Sequence, residues 1–282
     1  MPQDHRLPQQ RFELKYLIEE AITARLRDFV SSYLEVDDFG VAMPNFSYQV
    51  HSLYLDTDDL RLHQAGINGT RNRFKLRLRY YDENPEAPVY FEIKRRADNC
   101  ILKQRCGVRR EAVPLLLGGH LPAAEHLVSK EPRHLMTMQR FNFLMGILGA
   151  TPKLHNHYSR EAWVSPSDNS VRVTFDRQIH AEPCFQPHAV VSMQQPQRIF
   201  PEFVILELKF TNRFPGWFNQ LVRQFNLMQF ASAKYSEGVE VLGRHRFQNR
   251  GPGYCWERTP VVAPTAPMTI PSWQAAFGAQ TL

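Results

Sequence analysis

The stretch FKLRLRYY, residues 74–81, alternates apolar or aromatic residues with cations. In a β-strand alternate side chains point to the same face of the sheet. Lys75, Arg77 and Arg79 would therefore share one face, with Phe74 and Leu76 on the other. The pattern predicts a strand with one cationic face and one apolar face.

The same period-two alternation recurs along the chain. Further candidate strands cover residues 47–55, 89–95, 101–110, 153–164, 171–179 and 203–211. Charged or polar residues that would share a face in them are Glu92 with Lys94, Lys103 with Arg105, Tyr158 with Arg160, Arg172 with Thr174 and Asp176, and Glu207 with Lys209. Candidate helices cover 19–36, 57–66, 132–148, 215–227 and 234–242.

These elements predict an α+β fold, and two arrangements of its sheet are open. A single amphipathic strand most often turns its polar face to water. Here the polar faces are mostly cationic, and the opposite faces are apolar enough to pack against helices. We therefore expect a closed antiparallel β-barrel with the charges inside and the helices outside. Without a ligand, the cationic side chains of such an interior would repel one another. The interior therefore indicates a polyanionic ligand that relieves this repulsion.

Charge and composition narrow the class of protein. The 282-residue chain has a formal net charge of +6, and twelve of its 34 Lys and Arg residues lie between Arg71 and Arg110, against five acids. This segment indicates an anionic partner.

The sequence shows no secretory leader, transmembrane run or disulfide spacing, so we expect a cytoplasmic protein. We expect one domain over 11–246, a disordered arm over 1–10, and a Pro-rich, disordered tail over 247–282 that offers a docking site for a membrane or another protein.

Three glutamates each precede a lysine by two residues: Glu13 before Lys15, Glu92 before Lys94, and Glu207 before Lys209. Inside a cationic channel such carboxylates would pair with the neighbouring cations. Alternatively they would hold Mg²⁺ or Mn²⁺, which prefer oxygen ligands and bridge phosphates. Because the three pairs fall on separate strands, we favour the metal site.

Nine segments in order resemble the VTC-type polyphosphate polymerase domain, a branch of the triphosphate tunnel metalloenzyme superfamily. They are RFELKY (11–16), SLYLDT (52–57), FKLRLRYY (74–81), FEIK (91–94), LKQR (102–105), YSREAW (158–163), VRVTFDR (171–177), LELKF (206–210) and AKYSEG (233–238). The resemblance implies an eight-stranded antiparallel tunnel that binds polyphosphate end to end. In one departure, Ala233 precedes Lys234 where the family has serine, and Ser232 lies one position earlier.

The resemblance also implies site residues. The catalytic residues would be Lys15, Arg77, Arg79, Lys94, Arg160, Arg172 and Glu207, of which the Lys and Arg side chains would contact phosphate. Further phosphate contacts would come from Lys75, Lys103, Arg105, Tyr158, Lys209, Ser232 and Lys234. Glu207 would be the main ligand of Mn²⁺ or Mg²⁺, supported by Glu13 and Glu92.

The function implied is a polyphosphate polymerase that moves the terminal phosphoryl group of a nucleoside triphosphate, ATP by preference, onto inorganic polyphosphate. A metal-dependent tripolyphosphatase of the same fold is one alternative, and a non-catalytic module that binds polyphosphate or nucleic acid is another. Basic residues interleaved with aromatics suit nucleic acid. Phe74 and Tyr80, however, fall on the face opposite Lys75, so no nucleic-acid partner is expected.

Overall fold

The computed structural model describes residues 11–97, 100–166, 170–230 and 233–247. The strands are β1 (Arg11–Glu19), β2 (Glu35–Val36), β3 (Ser47–Asp56), β4 (Asn72–Tyr80), β5 (Val89–Ala97), β6 (Cys100–Val108), β7 (Thr151–Val164), β8 (Val171–Pro183), β9 (Gln197–Arg198) and β10 (Phe203–Thr211). The α-helices are α1 (Glu20–Ser31), α2 (Asp38–Val41), α3 (Arg61–Ile67), α4 (Val113–Leu117), α5 (Pro132–Leu148), α6 (Gly216–Gln224) and α7 (Lys234–Leu242). Short 3₁₀ turns cover Pro44–Phe46, Arg110–Ala112, Ala124–His126 and Arg244–Arg246. Ser232, the arm and all of the predicted tail beyond Phe247 lie outside the described residues.

The predicted α+β class is confirmed, because the described strands form one antiparallel sheet with flanking helices. Eight of them follow the order β1-β10-β8-β7-β3-β4-β5-β6, with β2 and β9 added beside β7 and β8. The sheet curls, so that its outer strands β1 and β6 approach to Cα distances within 8 Å. Among the described residues these two strands share no backbone ladder, and the predicted closed barrel is therefore not confirmed.

Three predicted helices differ from the observed ones at their ends, and one of them, predicted over 215–227, covers Gly216–Gln224. The helix predicted over 19–36 ends at Ser31, where the chain leaves for β2. The helix predicted over 57–66 begins at Arg61, because Leu60 before it has a left-handed φ of 58°. Asp56 then accepts the backbone N–H groups of Leu62 and His63, at 2.9 and 2.8 Å. This carboxylate caps the helix from the end of β3.

Apolar side chains on the outer face of the sheet pack against the helices. One cluster joins strands β3 to β6 to helix α5, through residues such as Leu78, Phe91 and Phe141. A second joins β1, β8 and β10 to α1 and α6, through residues such as Leu208 and Phe218. Burial of these side chains leaves the other face of each strand for polar groups. No helix in the described part of the chain is long and apolar enough to cross a membrane.

Candidate phosphate-binding site

The charged side chains of separate strands meet on the inner face of the curled sheet. The ammonium group of Lys94 on β5 lies 2.9 Å from the carboxylate of Glu13 on β1, although these strands stand near opposite ends of the strand order. Arg79 on β4 donates to the Tyr158 hydroxyl on β7 at 2.9 Å. These contacts bring the predicted cationic rows together around a shared interior.

Glu207 is the centre of one group of ion pairs, the Glu207 network. Its carboxylate lies 3.2 Å from Lys234 Nζ, 3.7 Å from Lys15 Nζ and 3.6 Å from Arg160 Nη2. Lys209 donates to it as well. Burial alone would raise the pKa of Glu207, but the neighbouring cations, Lys209 and Lys234 foremost, lower it well below its ordinary value. Glu207 is therefore an ionised, buried carboxylate.

Asp176 belongs to the same network, although it is absent from the predicted site. It accepts two hydrogen bonds from Arg160, at 2.6 and 2.7 Å, and also contacts Lys234. Thr174, two residues earlier on β8, lies between Glu207 and Lys209. The signal for both residues was present, since they share a strand face with Arg172.

A second group of ion pairs, the Glu92 network, lies on β4, β5 and β6. The Glu92 carboxylate pairs with Arg77 at 2.7 Å, Lys103 at 2.7 Å and Arg105 at 3.6 Å. Tyr54 on β3 accepts from Arg77 at 3.2 Å, a contact that strand alternation did not single out. The Arg105 guanidinium also lies 3.5 Å from the centre of the Tyr90 ring.

Two predicted phosphate ligands have no acidic partner. Within the described residues, no carboxylate oxygen lies within 4 Å of the Arg79 guanidinium or the Lys75 ammonium group. Arg79 is only 7% exposed, contacts hydroxyl groups of Ser52 and Tyr158, and its Nε has no hydrogen-bond partner. Burial, together with Lys15 and Lys94, lowers the pKa of Lys75 to about 7. The charge of Glu92 reaches Arg79 at longer range, but its carboxylate pairs directly with Arg77 and Lys103. Arg79 and Lys75 therefore lack a direct carboxylate contact among the described residues.

Arg172 lies at one end of the inner face, beside residues that precede β3. It donates to Asp37 at 2.6 Å and to the Tyr48 hydroxyl at 3.3 Å. Asp37 also accepts the backbone N–H of Gly40, at 3.0 Å, and so begins helix α2. Sequence reasoning missed Asp37 and Tyr48 because they lie outside the charged strand rows.

The predicted metal ligands are only partly brought together. Glu13 and Glu207 both contact Lys15 Nζ, at 3.2 and 3.7 Å, whereas Glu92 is held in its own network. In the described residues no group of three or more His, Cys, Asp or Glu side chains is placed to hold a metal ion. The predicted set of three glutamates is therefore not formed, because Glu92 lies in a separate network with Arg77 and Lys103. Two carboxylates do suit Mg²⁺ or Mn²⁺ when phosphate oxygens supply further ligands.

The chain belongs to the VTC domain family, whose model matches residues 10–243. The resemblance drawn from the nine segments is confirmed by this match. No curated protein matches the sequence.

The chain has low similarity to two solved structures. The PH1819 protein of Pyrococcus horikoshii is 10% identical, with a TM-score of 0.41 over 82% of this chain and 99% of that chain. HpAC1 from Hippeastrum, described as having a dominant triphosphatase activity, is 12% identical, with a TM-score of 0.42 over 83% of this chain and 97% of that chain. Because both TM-scores are below 0.5, we draw no conclusion about this chain from them.

Proposed function

We propose that this protein is a polyphosphate polymerase, which transfers the terminal phosphoryl group of a nucleoside triphosphate to inorganic polyphosphate. The observation that carries the proposal is the pair of inner-face cations without acidic partners, Arg79 and Lys75. Burying an unpaired charge is costly, so these groups favour a bound polyanion. Membership of the VTC domain family supports the same ligand class.

The inner face offers a row of cations along which a phosphate chain would lie. We assign the triphosphate of the nucleotide to the cations on β4, β5, β7 and β8, namely Lys75, Arg77, Arg79, Lys94, Arg160 and Arg172. Lys15, Lys103, Arg105, Tyr158, Lys209 and Lys234 would make further contacts. Phosphoryl transfer needs positioning and charge neutralisation more than covalent help from the protein.

In the transfer, a terminal oxygen of the polyphosphate forms a bond to the γ-phosphorus of the nucleotide. The bond from that phosphorus to the β–γ bridging oxygen breaks, and the nucleoside diphosphate leaves with the electron pair. The attacking oxygen is already anionic, so no Ser or Cys nucleophile is needed. Arg79 and Arg160 would hold the equatorial oxygens of the transferring group, where charge spreads in the transition state.

Glu207, supported by Glu13, would hold a divalent cation, Mn²⁺ or Mg²⁺, beside the phosphates. When bound, such an ion neutralises charge on the transferring phosphoryl group. The carboxylates of Glu13 and Glu207 suit a divalent cation because both contact Lys15 and both are ionised. Burial alone would raise the pKa of each carboxyl group, but the neighbouring ammonium groups lower it. Glu92 is not included, because its carboxylate pairs with a separate set of cations and does not share Lys15 with Glu13 and Glu207.

The test is incubation with ATP, short polyphosphate and Mn²⁺ or Mg²⁺, scored for acid-labile polymer, free phosphate and ADP. We expect polymer growth matched by ADP release. Free phosphate without polymer would replace the proposal with a tripolyphosphatase. If neither product forms although polyphosphate still binds, the protein would be a polyphosphate-binding protein without this activity.

A further inference from the structure

Four aromatic residues form a cluster at the end of the inner face where Arg172 lies. This rim cluster comprises Phe39 of α2, Tyr48 of β3, Tyr81 just after β4, and Tyr90 of β5. The Phe39 ring centre lies 5.9 Å from that of Tyr48 and 6.2 Å from that of Tyr81. Tyr81 in turn contacts Tyr48 and Tyr90, at 6.1 and 6.3 Å.

Phe39 is the exposed member of the rim cluster. Phe39 is 69% exposed, whereas phenylalanine residues are most often buried. Its ring is parallel to that of Tyr81 within 12°. Phe39 therefore presents accessible aromatic surface to solvent beside the partly buried Tyr81, and such a surface is suited to stacking another planar ring.

The rim cluster is joined to phosphate-binding cations at two points. The Tyr48 hydroxyl lies 3.3 Å from Arg172 Nη2, and Asp37 ties Arg172 to the helix that carries Phe39. On the other side, Arg105 stacks on Tyr90 and donates to the Tyr81 hydroxyl at 3.5 Å. A ligand with phosphates among these cations would thus extend its remaining part over the rim cluster.

We propose that the rim cluster is a stacking site for the base of the nucleoside triphosphate, with Phe39 as its principal contact. The inference rests on the proposed function, and it sets the direction in which the nucleotide enters, with the base outermost at the Arg172 end. Every nucleobase has an aromatic face, so stacking selects a nucleotide over inorganic tripolyphosphate without strong preference among bases. No hydrogen-bonding group of the cluster is required to read the base.

The test compares ATP with inorganic tripolyphosphate by calorimetry in EDTA, so that metal-dependent turnover is absent. Phe39→Ala should weaken ATP binding about tenfold, while tripolyphosphate affinity changes by less than about twofold. Phe39→Trp should retain ATP affinity. Phe143→Ala is the matched control, because Phe143 is a 63% exposed phenylalanine on the outer helix α5.

Each other result overturns the inference. Equal loss for both ligands would show that Phe39 acts through the structure of the cationic site. An unchanged ATP affinity, or an equal loss in Phe143→Ala, would exclude stacking at the rim. If the unaltered protein binds tripolyphosphate and only the Phe39 effect is missing, the proposed function stands without this inference. If it binds neither ligand, both are overturned.

Discussion

Two regions of the inner face differ in how their cations are neutralised. In the Glu207 network, Lys15, Lys209, Lys234 and Arg160 surround carboxylates of Glu207 and Asp176. On β4, Arg79 donates hydrogen bonds to hydroxyl groups, and neither Arg79 nor Lys75 has a carboxylate within 4 Å in the described structure. In the first region, protein carboxylates neutralise the cations. In the second region, a bound anionic ligand would neutralise them. The comparison predicts opposite responses to removal of a cation from each.

The largest effect is expected for Arg160→Met. This change leaves the buried carboxylates of Asp176 and Glu207 short of a partner. Breaking one side of a buried ion pair costs about 3 kcal/mol or more of the free energy of unfolding. Chemical denaturation without ligand should show that loss. A fully stable Arg160→Met protein would mean that the Glu207 network does not support the fold.

Glu207→Gln tests the role of the carboxylate in turnover. We expect the rate of phosphoryl transfer from ATP to fall at least about 100-fold, because a charge-stabilising group beside the reacting phosphate is lost. Tripolyphosphate affinity should fall little, since the cations remain. Glu161→Gln is the matched control, because Glu161 is also a buried, ion-paired strand carboxylate but pairs with Arg27 and Arg177 on the outer face. Full activity of Glu207→Gln would exclude the assignment.

Arg79→Met should give the reverse of the Arg160 result. Loss of charge-assisted hydrogen bonds to phosphate should weaken tripolyphosphate binding about tenfold or more. The free energy of unfolding of the ligand-free protein should stay the same or rise, because an unpaired buried cation is removed. Calorimetric titration and chemical denaturation measure the two effects. Equal destabilisation in Arg79→Met and Arg160→Met would remove the distinction between the regions.

The smallest expected effect is proton uptake on binding. With its pKa lowered to about 7 by burial and neighbouring lysines, Lys75 is mostly neutral at pH 8 in the ligand-free protein. A bound polyanion raises that pKa, so tripolyphosphate binding at pH 8 should take up protons, and less so at pH 6, where Lys75 is already charged. Calorimetry in buffers of different ionisation enthalpy measures the uptake. The uptake should shrink in Lys75→Met but not in Lys130→Met, a control at an exposed lysine just before α5. Identical uptake in all three proteins would contradict this role of Lys75.

Much of the fold could be predicted from the alternation of polar and apolar residues in the strands, because alternate side chains of a strand lie on the same face of the sheet. The apolar faces at Leu78 and Leu208 pack on helices as expected. Closure of the sheet between β1 and β6 was expected but is not confirmed, since alternation does not determine whether the two edge strands pair. The same limit applies to Glu92, which alternation places inside but cannot assign to a metal or to Arg77 and Lys103.

Some of the site residues that were missed lie outside the strand rows. Asp37 and Tyr48 reach Arg172 from a turn and from the start of β3, and such contacts depend on how the sheet curls. Asp176 was visible in the sequence as a neighbour of Arg172 on one strand face. Its pairing with Arg160 depends on the register of β7 with β8, which places those two residues opposite each other.

A crystal structure of the protein with inorganic tripolyphosphate tests the central claim most directly. Buried cations without acidic partners should define where the polyanion binds. We predict phosphate oxygens within hydrogen-bonding distance of the Arg79 guanidinium and the Lys75 ammonium group, between β4 and β7. An ordered tripolyphosphate elsewhere, with Arg79 Nε still unpartnered, would contradict the account.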